Sequence, residues 1–314
     1  MLTKLAIVVA VIFGALLLLA LIVPFLLPRP GLDGKIPDQP FADSRFAEIN
    51  GVRMHWRDRS RAADPGVLVV LIHGFGASGF SWRSTLDALE QAGYPAIAPD
   101  LPPFGYSERT GKGADWGELV LGVADRVCRD CQLVLVGHSM GAGVAAEVSA
   151  LAGNRVRQAI FVDGTPGLRR VGGGFGWALA IPSLRRAAEV YAAWKLVDEQ
   201  TIGSMLASAF GREPSAEELA GYYPPLTIPG TYPALLQRMQ NRSSSVPSGW
   251  DQVPLGIIWG ENDNWVPVDA IRRYSEAHPR LRAFEQIPEA GHNPMDTHPE
   301  AFNVMLLKQI ESLD

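Results

Sequence analysis

The chain has 314 residues, 47% of them hydrophobic, with 32 glycines and 24 prolines. Leaving aside an apolar N-terminal stretch, about 270 to 285 residues remain, enough for one large α/β domain or one domain carrying an insertion. A net charge of −5, with no lysine- or arginine-rich block, speaks against nucleic acid as a partner.

From Leu5 to Leu27 no residue is charged and almost none is polar. At about 1.5 Å per residue, a helix of this length crosses a ~30 Å hydrocarbon core. Pro24 falls near its end, where a helix tolerates it. A cleaved signal peptide is the rival, but its apolar region is normally shorter, and Ala-x-Ala-like cleavage residues are missing around Pro28 and Pro30. The expectation is a single-pass N-terminal transmembrane anchor over residues 1–28 and a linker over residues 29–44. Lys4 and the amino terminus on one side face Arg29 and Lys35 on the other, a weak orientation signal. The expected arrangement leaves the N-terminus in the cytoplasm and exports the folded part.

Arg45–Ile49 and Val52–Arg57 read as an antiparallel hairpin, because Asn50-Gly51 suits a two-residue turn with positive φ at both positions. Val67–Ile72 is a buried strand that empties into His73-Gly74-Phe75-Gly76. A helix from Ser81 or Trp82 to Ala92 follows, then a strand at Tyr94–Ala98 and a loop of turn formers from Asp100 to Ser107. Asp115–Val127 suits a helix, Gln132 opens another strand, and Ala159–Val162 is a strand ending at Asp163-Gly164. Strands alternating with helices imply a parallel sheet covered on both faces.

The rhythm then breaks. Between Thr165 and Trp250 the pattern is helical: Trp177–Val197, Thr201–Phe210, Ala216–Tyr223 and Tyr232–Asn241, with flexible joints at Gly172–Gly174 and Ser243–Ser245. It resumes with strand Leu255–Trp259, a helix at Pro267–His278, strand Leu281–Ile287 and a last helix from Pro299 to Leu313. The implied organisation is an α/β core in two parts, residues 45–164 and 251–314, separated by a helical cap over residues 165–250.

The stretch that carries chemistry is Gln132 to Ala146. Its apolar strand leads into Gly137-His138-Ser139-Met140-Gly141 and then a helix stripped of bulk. Gly-x-Ser-x-Gly alone is a weak signal in a glycine-rich chain, but between a strand and a helix it describes a nucleophile elbow. A serine hydroxyl needs a base within hydrogen-bond reach and a group that orients the base. His292, in Gly291-His292-Asn293-Pro294 after the last strand, is the candidate base. Asp263, after the strand Leu255–Trp259, is the candidate orienting carboxylate, with Asp163 as its serious rival at another strand end. The backbone N–H groups of Met140 and Phe75 are the expected oxyanion donors. His73 reads as a structural residue bracing its loop, and the side chain of His138 should point a different way from the elbow serine's.

His73-Gly74-Phe75-Gly76, Asp100 to Ser107, Gly137 to Gly141, Trp259 to Asp263 and Gly291-His292 together resemble the α/β-hydrolase family. Within it, Gly-His-Ser-Met-Gly is similar to bacterial carboxylesterases and lipases with a helical cap. The resemblance implies a Ser139–His292–Asp263 triad and hydrolysis of carboxylic esters through an acyl-enzyme, with no cofactor or metal. It sets Ser139 apart from the aspartate nucleophile of epoxide hydrolases and haloalkane dehalogenases. Carbon–carbon bond hydrolysis, cofactor-free perhydrolysis and a non-catalytic binding module are the alternatives. An apolar acyl pocket is expected from Phe104, Trp177 and Trp265, while most other aromatics of the insertion, Tyr191 and Trp194 among them, are expected to pack inside it. Cys128 and Cys131 close a helix rather than open one, so they read as a small structural bridge or as two free thiols.

Overall fold

The computed structural model describes residues 2–27, 32–60, 66–111, 115–166, 178, 180–196, 198–241 and 248–312. The Gly172–Gly174 and Ser243–Ser245 joints and Trp177 lie outside the described residues. Helix α1 spans Leu2–Leu26. Its segment Ile7–Leu26 has a mean hydropathy of 3.1 and is long and apolar enough to cross a membrane.

An eight-stranded sheet organises the rest. Its strands are β1 (Ser44–Ile49), β2 (Val52–Asp58), β3 (Val67–Ile72), β4 (Ala96–Pro99), β5 (Gln132–His138), β6 (Val156–Val162), β7 (Leu255–Gly260) and β8 (Leu281–Ile287). Their order in space is β1-β2-β4-β3-β5-β6-β7-β8. Only β1, β2 and the β2–β4 pair are antiparallel; from β4 to β8 every pair is parallel. The β1–β2 turn has Asn50 at φ 49° and Gly51 at φ 77°, the conformation that Asn-Gly favours.

Side chains of β3 alternate between two cores. Leu68, Val70 and Ile72 pack with α3 (Trp116–Val127) and α4 (Met140–Ala152). Val69 and Leu71 pack with α2 (Arg83–Gln91) and the C-terminal helix. Both faces of β3 to β7 are largely dry, which is why they read as apolar runs, while the edge strand β8 is half-buried. Strand β4 starts two residues later than its apolar pattern suggests: Tyr94 still donates to Leu89 O and Pro95 has no N–H to give. Strand β6 starts earlier, at Val156, because the polar Gln158 in its middle is buried rather than a boundary.

Between β6 and β7 the described residues form α5 (Pro182–Leu196), α6 (Glu199–Phe210), α7 (Ala216–Leu226) and α8 (Thr231–Asn241). Tyr191 and Trp194 do not pack inside this insertion; they are 66% and 61% exposed. After β7 come α9 (Asp269–Ala277), β8, a single turn α10 (Pro294–Thr297) and α11 (Pro299–Glu311). Cys128 and Cys131 are joined in a disulfide with their Cα atoms 5.5 Å apart, between α3 and β5. Arg155 caps the same turn by donating to the carbonyls of Cys128 and Cys131.

Candidate active site

Ser139 stands between the last residue of β5 and the first of α4, at φ 51° and ψ −116°. A β-carbon-bearing residue at positive φ stores about 1–3 kcal/mol of strain and persists only where its surroundings impose it. Here they do. Ser139 N–H donates to Val162 O at 2.8 Å, tying the turn to β6. A Cβ on Gly137 would run into the Gly141 backbone, and one on Gly141 into the carbonyls of Ile72 and His73. A Cβ on Gly164 would strike the Ser139 backbone, and one on Gly74 would lie 3.1 Å from the Ser139 Cβ. Four glycines thus let two loops and a helix close around one serine.

The structure brings Ser139, His292 and Asp263 together. His292 Nε2 lies 2.9 Å from Ser139 Oγ, and His292 Nδ1 lies 2.8 Å from Asp263 Oδ2. Asp263 Oδ1 accepts N–H bonds from Trp265 at 2.8 Å and Val266 at 2.9 Å, so this carboxylate is held by its own loop. With Asp263 as acceptor, Nδ1 carries the ring proton and Nε2 is left to accept from the Ser139 hydroxyl. The His292 loop is fixed from two sides. Its N–H donates to Ala209 O of α6 at 2.7 Å, and its carbonyl accepts from His138 Nε2 at 2.7 Å. Trp265 stacks on the imidazole with ring centroids 5.4 Å apart.

Asp163 does not reach His292's ring as its hydrogen-bond partner. It leaves the end of β6 at φ 45° and accepts the Gly260 N–H at 2.8 Å through Oδ1. Its Oδ2 is buried and has no partner when both carboxyls are counted as acceptors. Complete burial, followed by the negative Asp263 beside it, raises its carboxyl well above the ordinary range. The raised carboxyl favours the protonated form, and the Asp263 side chain is the group beside it that such an O–H can reach. Donor atoms of Asp163, Asp263 and His292 all lie within 4.8 Å of one another. Two carboxylates and an imidazole can chelate a cation, but these atoms are engaged in hydrogen bonds with each other and with backbone N–H groups.

The other histidines near the serine are braces. His73 is fully buried; its Nδ1 donates to Gly74 O and its Nε2 accepts Leu101 N–H at 2.8 Å. Burial keeps its pKa below the ordinary value. Burial, and then His292, hold His138 neutral as well. The sequence gives no sign that His138 supports the His292 loop, since that contact spans 154 positions. Met140 opens α4, so its N–H is among the donors that a helix start leaves without intrahelical partners. Phe75 follows Gly74 on the loop beside Ser139 and sits edge-on to Phe104 at 5.2 Å. Phe104 is only 1% exposed and lies beneath Phe75 and His73, while Trp265 is 45% exposed beside His292. His55, placed by sequence in the hairpin, bonds Asp100 Oδ2 at 2.7 Å and holds the loop after β4.

Residues 69–304 match the alpha/beta hydrolase family. A 2-hydroxy-6-oxononadienedioate/2-hydroxy-6-oxononatrienedioate hydrolase from Paraburkholderia phymatum is 26% identical over 82% of this chain and 90% of its own. Among solved structures, an aryl esterase described as putative, from Burkholderia cenocepacia, aligns with a TM-score of 0.65 at 22% identity, covering 86% of this chain and 98% of its own. A membrane phospholipase A, described as a bacterial virulence factor, aligns with a TM-score of 0.66 at 19% identity over 99% of this chain and 98% of its own. With the family match spanning most of the sheet and the elbow, the chain belongs to the alpha/beta hydrolase family.

Proposed function

We propose that the protein is a membrane-anchored serine hydrolase of carboxylic esters, with Ser139, His292 and Asp263 as its triad. One observation carries this reading: the unbroken hydrogen-bond chain from Ser139 Oγ through both nitrogens of His292 to an Asp263 carboxylate, each from a different strand end. In the reaction, Ser139 Oγ bonds to the ester carbonyl carbon as His292 Nε2 takes its proton. The carbonyl oxygen gains the electron pair and is held by the N–H groups of Phe75 and Met140, each donor contributing about 10²–10³ in rate. Collapse breaks the ester C–O bond, and His292 gives its proton to the departing alkoxide. Water then attacks the acyl-enzyme, loses a proton to His292, and the acid departs as Ser139 regains its hydrogen. Asp263 stabilises the imidazolium in both halves.

The helices α5 to α8 act in this reading as a cap, and Trp265 with Phe75 as pocket wall. A span at α1 and a Cys128–Cys131 disulfide favour an anchored enzyme whose catalytic domain faces an oxidising compartment. The test is hydrolysis of p-nitrophenyl butyrate by the Ser139→Ala variant. The expected loss is about 10⁴-fold or more, with the melting temperature retained. Turnover within tenfold of the wild type would reject Ser139 as the nucleophile. Covalent labelling of the wild type by a fluorophosphonate, absent in the variant, separates an activated serine from an inert binding pocket.

A further inference from the structure

Helix α5 turns large apolar side chains outward as well as inward. Its inward residues are Ser183, Glu189, Val190 and Ala193. Its outward apolar residues are Leu184, Tyr191 and Trp194, with Ile181 just before its start, at spacings of three, seven and three residues and exposed by 44%, 66%, 61% and 36% in that order. Outside α1, Tyr191 and Trp194 are the most exposed aromatic side chains among the described residues. Arg185 and Lys195 are exposed on the same helix. Aromatic rings with a polar edge, aliphatic side chains and flanking cations are the set that an interfacial helix lays into the headgroup layer.

The position of α5 says which surface this is. Arg186 donates to Pro24 O, in the last turn of α1, at 3.2 Å and to Leu27 O, just past its end, at 3.1 Å, carbonyls that a helix end leaves without helical partners. Pro24 is buried there, although α1 is otherwise exposed from Ile7 onward. The end of a membrane-spanning helix lies at headgroup depth, so a helix clamped to that end is held at the same level.

We infer that the outer face of α5 is a lipid-docking surface, with Tyr191 and Trp194 seated at the headgroup–acyl boundary of the bilayer that α1 spans. This rests on the anchor reading and makes the inserted helices, rather than the sheet, the side of the domain turned to the membrane. The partner is the bilayer itself, and the hydrolase then works beside amphiphilic esters rather than in bulk water.

The test uses the full chain reconstituted into phosphatidylcholine–phosphatidylglycerol vesicles. Flotation in a density gradient reads the α1 anchor. Tryptophan emission is compared between the wild type and Trp194→Phe, with and without phosphatidylcholine brominated near the headgroup end of its acyl chains. The expected result is that the emission lost on replacing Trp194 is at least halved by the brominated lipid. A chain that floats while that emission is unquenched overturns the docking of α5 and leaves the anchor standing. A chain that does not float overturns both. Hydrolysis of p-nitrophenyl butyrate, read in the same samples, reports separately on the ester reading, and Trp194→Phe is expected to leave it within twofold.

Discussion

The sheet rim and the inserted helices are held in place by different means. Ser139, Asp263 and His292 hang from the carboxyl ends of β5, β7 and β8, whose positions are set by backbone ladders such as Val136↔Ile160 and Trp259↔Gln286. The insertion meets the core through the His292 N–H bond to Ala209 O and through a side-chain cluster. Arg83 of α2 pairs with Asp296 of α10 and reaches Glu218 of α7 at 3.6 Å, and Tyr222 of α7 donates to Asp296 at 2.6 Å. Phe80, Phe210 and Tyr222 fill the apolar seam beside these contacts. Backbone ladders place Ser139, Asp263 and His292, and side-chain contacts do most to place the inserted helices, so the two should fail separately.

The rim should fail abruptly. A Cβ at residue 141 meets the carbonyl oxygens of Ile72 and His73, which belong to the strand end and loop beside the elbow. Gly141→Ala must therefore part α4 from β3, at a cost of about 1–3 kcal/mol in overpacking. A reacting hydroxyl displaced by as little as about 1 Å loses on the order of 10²-fold in rate. The expected outcome is a fall in kcat for p-nitrophenyl butyrate of about that size with a lowered melting temperature. Unchanged kcat would show that the elbow has slack that the structure does not display.

The seam should yield more gently. Tyr222→Phe removes the O–H bond to Asp296 and leaves that buried carboxyl short of a partner, worth about 1–3 kcal/mol. Burial already raises the Asp296 pKa, against the opposing pull of Arg83. Expected are a lower melting temperature and a raised KM with kcat nearly retained, measured by thermal unfolding and steady-state kinetics. An equal loss in kcat would mean that the seam also positions His292, which lies only one turn before Asp296.

What could be read from the sequence follows the same division. The strands, the glycine-flanked serine turn and the strand-end positions of Ser139, Asp263 and His292 were legible because each depends on local backbone needs: buried apolar runs, a turn that excludes side chains, and loops leaving strand ends. Contacts fixed by distant pairs were not. Nothing near His138 says that its Nε2 holds the carbonyl of His292, and nothing in α5 says that its aromatics face outward. The turn α10 escaped because four residues are too few for a helical period. Asp163 and Asp263 both end strands, and a one-dimensional reading leaves them rivals; only the register of β6 beside β7 puts one on His292 and the other behind it.

That pair offers the finest test of the rim, because it probes a proton rather than a displacement. The Asp163 carboxyl is raised in the folded protein while an unfolded aspartate titrates near its ordinary value, so above that value the folded state binds more protons. The stability contribution is fully present below the unfolded value and declines as pH rises toward the raised folded one. Asp163→Asn keeps a donor toward Asp263 and an acceptor for Gly260 N–H, yet cannot titrate. Its melting temperature should therefore fall less steeply than the wild type's as pH rises above the ordinary aspartate value. Its activity at neutral pH should stay within about threefold, since the hydrogen bond to Asp263 is preserved. Asp163→Ala, which removes both contacts, should lose stability at every pH. If the Asn variant instead tracks the wild-type pH profile, the proton belongs elsewhere and Asp163 is a carboxylate held ionised behind the site.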